Sequence, residues 1–165
     1  MGAVTVTTES SKATEALARV VSEYVVGGDV VLLAGDLGAG KTVFARGLAH
    51  GLGVDEPVVS PTFTLAREYT GRVRIVHADI YRLDHVRELE DLGFDDADDN
   101  TVTIVEWGDV VSGVFGVDRL EVRLEFVANH DDVRRVTISA VGPDWSARAA
   151  ALCAAVELAD SEAKF

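Results

Sequence analysis

The residues best suited to chemistry form one short run, Gly35-Asp36-Leu37-Gly38-Ala39-Gly40-Lys41-Thr42, with the spacing G-x-x-x-x-G-K-[ST]. Glycines let the backbone curl so that successive N–H groups point inward, and a helix opening at Lys41 would add its positive end. Such a cradle holds phosphates. Lys41 is placed to reach the β- and γ-phosphates of a nucleoside triphosphate, and the Thr42 hydroxyl to ligate Mg²⁺. A glycine-rich turn with an incidental lysine is the bland reading of these residues. The flanks argue against it: the apolar run Val30–Ala34 leads directly into the loop, and Phe44, Ala45, Leu48, Ala49 and Leu52 follow at helical spacing.

A phosphate loop of this kind needs a carboxylate at the end of a neighbouring buried strand, to hold the magnesium shell or to orient water. Two runs end that way: Ile75-Val76-His77-Ala78-Asp79 and Val102-Thr103-Ile104-Val105-Glu106. The second is more continuously apolar, which places it beside the phosphate-loop strand. Glu106 is therefore assigned to the metal and Asp79 to water or switch work, so Lys41, Asp79 and Glu106 are the candidate catalytic groups. Ser60-Pro61-Thr62-Phe63 is a polar segment able to close over a γ-phosphate. Trp107 reads as a packing residue, and His77 as a structural histidine rather than a base. No His/Cys cluster has zinc spacing, and Asp95 to Asp99 lacks the pattern of a calcium loop.

These groups need a scaffold, and the hydrophobic pattern supplies one. Val4 and Val6 alternate with threonines as in a strand. Ser10 or Ser11 offers an N-cap to a helix carrying Ala13, Ala16, Leu17, Val20, Val21 and Tyr24, which Gly27-Gly28-Asp29 breaks. After the phosphate-loop helix, closed by Gly51 and Gly53, residues 62–69 and 74–79 read as strands around a Thr70-Gly71 turn, and 86–92 as a short acidic helix. Leu120/Val122/Leu124/Phe126 and Val136/Ile138/Ala140 alternate strictly across Asn129-His130-Asp131-Asp132, an antiparallel hairpin with one wet face. Trp145, Ala149, Leu152 and Val156 stripe a last helix. The order predicts an α/β fold, a P-loop-type mixed sheet flanked by helices with an antiparallel hairpin near the C-terminus, in one domain spanning 1–165.

Bulk properties narrow the partners. The 165 residues carry a formal net charge of −13 and are 48% hydrophobic, against disorder and against broad nucleic-acid binding by this chain alone. A single cysteine, Cys153, makes no internal disulfide, no apolar stretch reaches membrane-spanning length, and no signal pattern opens the chain. A soluble, cytoplasmic protein is expected.

Together these motifs resemble one family: the bacterial ATPase of tRNA threonylcarbamoyladenosine biosynthesis, TsaE, also called YjeE. The likeness covers roughly Ser11 to Ala140. It rests on the phosphate loop, Ser60-Pro61-Thr62-Phe63-Thr64-Leu65, Glu68-Tyr69, His77-x-Asp79-x-Tyr81-Arg82-Leu83 and Val105-Glu106-Trp107. The resemblance implies an ATP- and Mg²⁺-dependent enzyme that assists, with the TsaB and TsaD subunits, the modification of adenosine 37. It meets tRNA only through that complex, which its ATP hydrolysis resets. It further implies that Thr42 and Glu106 hold Mg²⁺, that Asp79 lies near the γ-phosphate, and that Ser60 to Phe63 acts as a switch. Ser11 and Arg134 would approach the nucleotide's outer side, with Arg135 as a rival for the latter place. The chain departs from the family pattern at Ala78, where an aromatic is common, and at Gly108, where proline is common.

Two other readings share the loop. A small-molecule P-loop kinase brings arginines over the transferred phosphate; Arg82 and Arg87 are available, but no arginine-rich lid stands out. A guanine-nucleotide switch expects an Asn/Thr-Lys-x-Asp motif, which this sequence lacks, and adenine is favoured.

Overall fold

The computed structural model describes residues 2–81, 87, 88, 91, 98–110, 113, 115–162 and 165. Strand β1 (Gly2–Thr8) leads to helix α1 (Ser11–Ser22), whose first turn is closed by the Ser10 hydroxyl accepting from the Ala13 N–H at 3.1 Å. Strand β2 (Val30–Ala34) runs through the phosphate loop into helix α2 (Lys41–Gly51). Strands β3 (Ala66–Thr70), β4 (Arg74–Asp79) and β5 (Thr101–Glu106) follow, then β6 (Arg119–Val127), β7 (His130–Val141) and helix α3 (Pro143–Ser161).

The strands form one mixed sheet in the order β1-β7-β6-β2-β5-β4-β3. Strands β6, β2, β5 and β4 are parallel to their neighbours within that group; β1 with β7, β7 with β6, and β3 with β4 pair antiparallel. Every residue of β2 and β5 is buried, as an unbroken apolar run at the sheet's centre requires. Leu17 and Val21 of α1, Phe44 and Leu48 of α2, and Trp145 and Leu152 of α3 pack on one face, over Val31, Leu33, Ile104, Leu120, Leu124 and Ile138. A smaller cluster of Val30, Leu32, Ala78, Ile80, Val105 and Phe115 lies on the opposite face. No helix among the described residues is long and apolar enough to cross a membrane.

Several expected boundaries move. Residues 62–65 are not strand: the Thr64 N–H and hydroxyl both donate to Pro61 O, and Leu65 takes a left-handed φ of 65°, so pairing begins at Ala66. The β6–β7 turn is shorter than predicted. Asn129 takes φ 64°, and His130 to Asp132 already belong to β7. Phe126 stands at a register shift and is half-exposed rather than in the core. Helix α1 ends at Ser22, ahead of the Gly27-Gly28 break. The predicted helix over 86–92 falls largely outside the described residues, as do Arg82 and most of the Asp95–Asp99 run.

Candidate nucleotide site

The site sits where β2, β5 and β4 end together. Leu33 pairs with Glu106 in parallel register, and Glu106 with Asp79. The strand expected beside the phosphate loop is indeed its neighbour, with Asp79 one strand further out. Both carboxylates are buried, 3% exposed each.

In the loop, Gly38 and Gly40 take φ of 80° and 105°, conformations open to glycine and strained for other residues. Gly40 is the N-cap of α2 and no side chain caps that helix, so its leading N–H groups face the loop without a side-chain acceptor. That is the arrangement an anion completes. Lys41 is folded back: Nζ donates to Gly35 O at 2.6 Å and Asp36 O at 3.0 Å and lies 3.8 Å above the Trp107 ring centroid. Burial lowers its pKa from the usual lysine range, against the opposing pull of Glu106, Asp79, Asp109 and Asp36.

Thr42 Oγ1 donates to Glu106 Oε1 at 2.8 Å. The hydroxyl proton is thereby turned to the carboxylate while its lone pairs stay available for a cation. Asp79 accepts from Thr62 Oγ1 at 3.0 Å and from the Tyr81 N–H at 3.2 Å, and Thr62 in turn bonds Ser60 Oγ at 2.6 Å. The Ser60–Phe63 segment is thus tied to the β4 carboxylate. Burial, then the adjacent Glu106 charge, raises the Asp79 pKa above the ordinary carboxylate value.

Lys41, Thr42, Ser60, Thr62, Asp79, Glu106 and Trp107 line a cavity of about 270 Å³ together with Leu37, Gly38, Gly40 and Val43. A smaller hollow of about 90 Å³ adjoins it across Gly38, Gly40 and Val43, and is lined by Ser10, Ser11, Thr14, Ala39, Asp132 and Arg134. Ser11 and Arg134 therefore lie together on the outer side of the loop. Arg134 Nε donates to Ala39 O at 3.0 Å, Nη2 to Gly38 O at 3.3 Å, and its guanidinium stacks 4.4 Å from the Phe126 centroid. Arg135 points to the other face of the sheet, since Val136 on the core side is its immediate neighbour in a strand. A larger hollow of about 310 Å³, on the sheet face away from the helices, contains none of the catalytic candidates.

The donor set fits a triphosphate with magnesium. No group of three or more His, Cys, Asp or Glu side chains among the described residues could cage a metal by itself. Magnesium takes one or two protein ligands with phosphate oxygens and waters, and Thr42 with Glu106 offers that number.

Two residues were undervalued by sequence reasoning. Trp107 packs as expected, but with φ 64°, an outlier for a bulky residue that puts its ring under Lys41. His77 is buried against Glu106, with Nε2 2.8 Å from Oε1. Residue type alone signals neither contact.

Known proteins decide the family. The profile described as "Threonylcarbamoyl adenosine biosynthesis protein TsaE" matches residues 8–136. Proteins named "tRNA threonylcarbamoyladenosine biosynthesis protein TsaE" are similar along most of the chain. That of Bacillus subtilis is 39% identical over 137 residues, 82% of this chain and 84% of that protein. That of Streptomyces coelicolor is 40% identical over 136 residues, covering 79% and 92%. The chain belongs to the TsaE family. The TsaE relative of Mycobacterium tuberculosis is 43% identical over 129 residues, covering 72% and 76%. A crystal structure of YdiB from Bacillus subtilis superposes with a TM-score of 0.75 at 31% identity, over 96% of both chains. The α/β sheet is thus that of a TsaE-family protein.

Proposed function

We propose that this chain is an ATPase serving the biosynthesis of threonylcarbamoyladenosine in tRNA, binding ATP with Mg²⁺ and working in the cytoplasm with TsaB and TsaD. The observation that carries the reading is the Thr42–Glu106 hydrogen bond at the mouth of a glycine loop, with Lys41 and Asp79 lining the same cavity. The N–H groups of Asp36, Leu37, Gly38, Gly40 and Thr42 would hold phosphate oxygens, and that of Ala39 closes the loop on Asp36 O at 3.0 Å. Lys41 leaves its loop carbonyls to meet the β- and γ-phosphates. Thr42 and Glu106 would hold the metal, which would supply neutralisation of the triphosphate charge. Asp79 lies beside the γ-phosphate, where it accepts a hydrogen bond from the attacking water while Thr62 draws Ser60 to Phe63 inward. Ser11 and Arg134 border the base and ribose.

Partner dependence has its own support. Leu37 at the loop's tip is 85% exposed and Phe63 is fully exposed, two large apolar side chains beside the site that face solvent. A protein surface that covers them would also close the site to bulk solvent around the positioned water. The net charge of −13 leaves tRNA contact to the partners.

Lys41→Ala is expected to abolish ATP binding and hydrolysis, measured by calorimetry and phosphate release; unchanged affinity and turnover would reject the site. Glu106→Ala should weaken ATP binding far more with magnesium than without it, and equal weakening would move the metal to Asp79. Depleting the protein should lower threonylcarbamoyladenosine in tRNA, read by mass spectrometry. Rapid phosphorylation of a small molecule by the isolated chain would favour the kinase reading instead.

A further inference from the structure

We propose that His77 is a positioning residue for Glu106, holding one carboxylate oxygen so that the other is presented to the metal and its waters. The inference rests on the magnesium-site reading above and goes beyond it by adding a residue that does not touch the nucleotide. His77 is 1% exposed and lies on β4, between the sheet and the helices, two residues before Asp79 on the same face. Its Nε2 is 2.8 Å from Glu106 Oε1, and because an ionised carboxylate only accepts, Nε2 carries the proton and donates. Thr42 Oγ1 donates to that same Oε1, also at 2.8 Å. Two donors converge on Oε1, and this leaves Oε2 as the oxygen turned toward the ligand.

The other ring nitrogen shows that the histidine is not a simple core filler. Nδ1 of His77 is buried with no hydrogen-bond partner among the described residues. A buried polar atom left unpaired is destabilising, and an apolar side chain of similar volume would avoid that penalty. The imidazole is accounted for by what Nε2 does. A carboxylate swung freely from the end of β5 would face several orientations; one hydrogen bond from each of two neighbouring elements, β4 and α2, removes that freedom before any ligand arrives. Orientation of a metal-binding carboxylate by an outer hydrogen bond commonly contributes 10- to 100-fold in metal affinity or activity.

The test compares three variants by calorimetric ATP binding with and without magnesium, thermal unfolding without nucleotide, and steady-state hydrolysis. His77→Phe removes the donor and fills the space. Its unfolding midpoint should match or exceed that of the parent protein, magnesium-free ATP affinity should change less than about twofold, and the magnesium-dependent gain in affinity should fall about tenfold. His77→Gln, whose amide nitrogen reaches the place of Nε2, should recover most of that gain; His77→Asn, which is too short, should not. The Gln and Asn pair decides the matter if His77→Phe fails to fold. An undiminished magnesium effect in His77→Phe, equal losses with and without magnesium, or identical behaviour of Gln and Asn would overturn the proposal while leaving the nucleotide site standing. No magnesium effect in the parent protein would overturn both.

Discussion

The charges of the candidate site are held in places that disfavour them. Asp79 has a raised pKa because it is buried beside Glu106, and Lys41 a lowered one because it is buried. For Asp79 the folded state binds its proton more tightly than the unfolded chain. Its contribution to stability is therefore full below the unfolded value of about 3.8 and is lost as pH rises through the folded value. Asp79→Asn should raise the unfolding midpoint of the ligand-free protein at neutral pH, with the gain shrinking on acidification toward pH ~4. Thermal melts across that range check it, and an unchanged midpoint would mean the carboxylate carries no such penalty. The same variant should slow ATP hydrolysis, since an amide accepts less strongly from water than a carboxylate does. Both groups destabilise the ligand-free fold in their charged forms, and the backbone joins in: a left-handed Trp107 costs about 1–3 kcal/mol by itself.

At the level of elements, the alternation of a strand separates two arginines that residue type leaves equivalent. Arg134 and Arg135 are equally basic, but only Arg134 shares the face of Val136 and reaches Gly38 and Ala39. Arg134→Ala should weaken ATP binding by about tenfold, the effect of losing hydrogen bonds from a charged donor, and Arg135→Ala should not. Equal effects in calorimetry would contradict this division. The turn after β5 makes a second case. A Cβ on Gly108 would come within 2.4 Å of Leu32 Cβ and 2.9 Å of Leu32 Cα, so this turn closes on the phosphate-loop strand because residue 108 has no side chain. Gly108→Ala should destabilise by about 1–3 kcal/mol, as overpacking does, and Gly108→Pro, although it restores the residue common in the family, should be no better tolerated. Chemical denaturation measures both.

Across the whole molecule, helix α3 is fastened far from the phosphate loop. Arg148 makes a two-pronged pair with Asp29 at 2.7 and 2.8 Å, donates to Tyr24 O at 2.7 Å, and stacks 3.9 Å from the Trp145 centroid. Asp29 precedes the opening of β2, whose opposite end carries the loop. Arg148→Ala leaves that buried carboxylate with the Val26 N–H but no charged partner, and should cost about 2–4 kcal/mol, between the values for exposed and fully buried pairs. ATP affinity of the folded fraction should be unchanged, because the pair and the loop lie at opposite ends of β2. A loss of affinity at full folding would instead couple α3 to the site.

The phosphate loop, the two strand-end carboxylates and the α/β order were legible because each is written locally: a fixed spacing, an apolar run with an acid at its end, or a change of hydrophobic period. So was the neighbourhood of β2 and β5, since only a strand buried on both faces tolerates so continuous an apolar run. Segment 62–65 carries β-forming side chains yet is not strand, because the turn geometry after Pro61 outweighs them. Tertiary structure alone decided that Thr42 and His77 meet on one oxygen of Glu106, and that Lys41 rests on Trp107. Such contacts join residues distant in sequence across neighbouring strands and helices, and no local periodicity carries the distance between them.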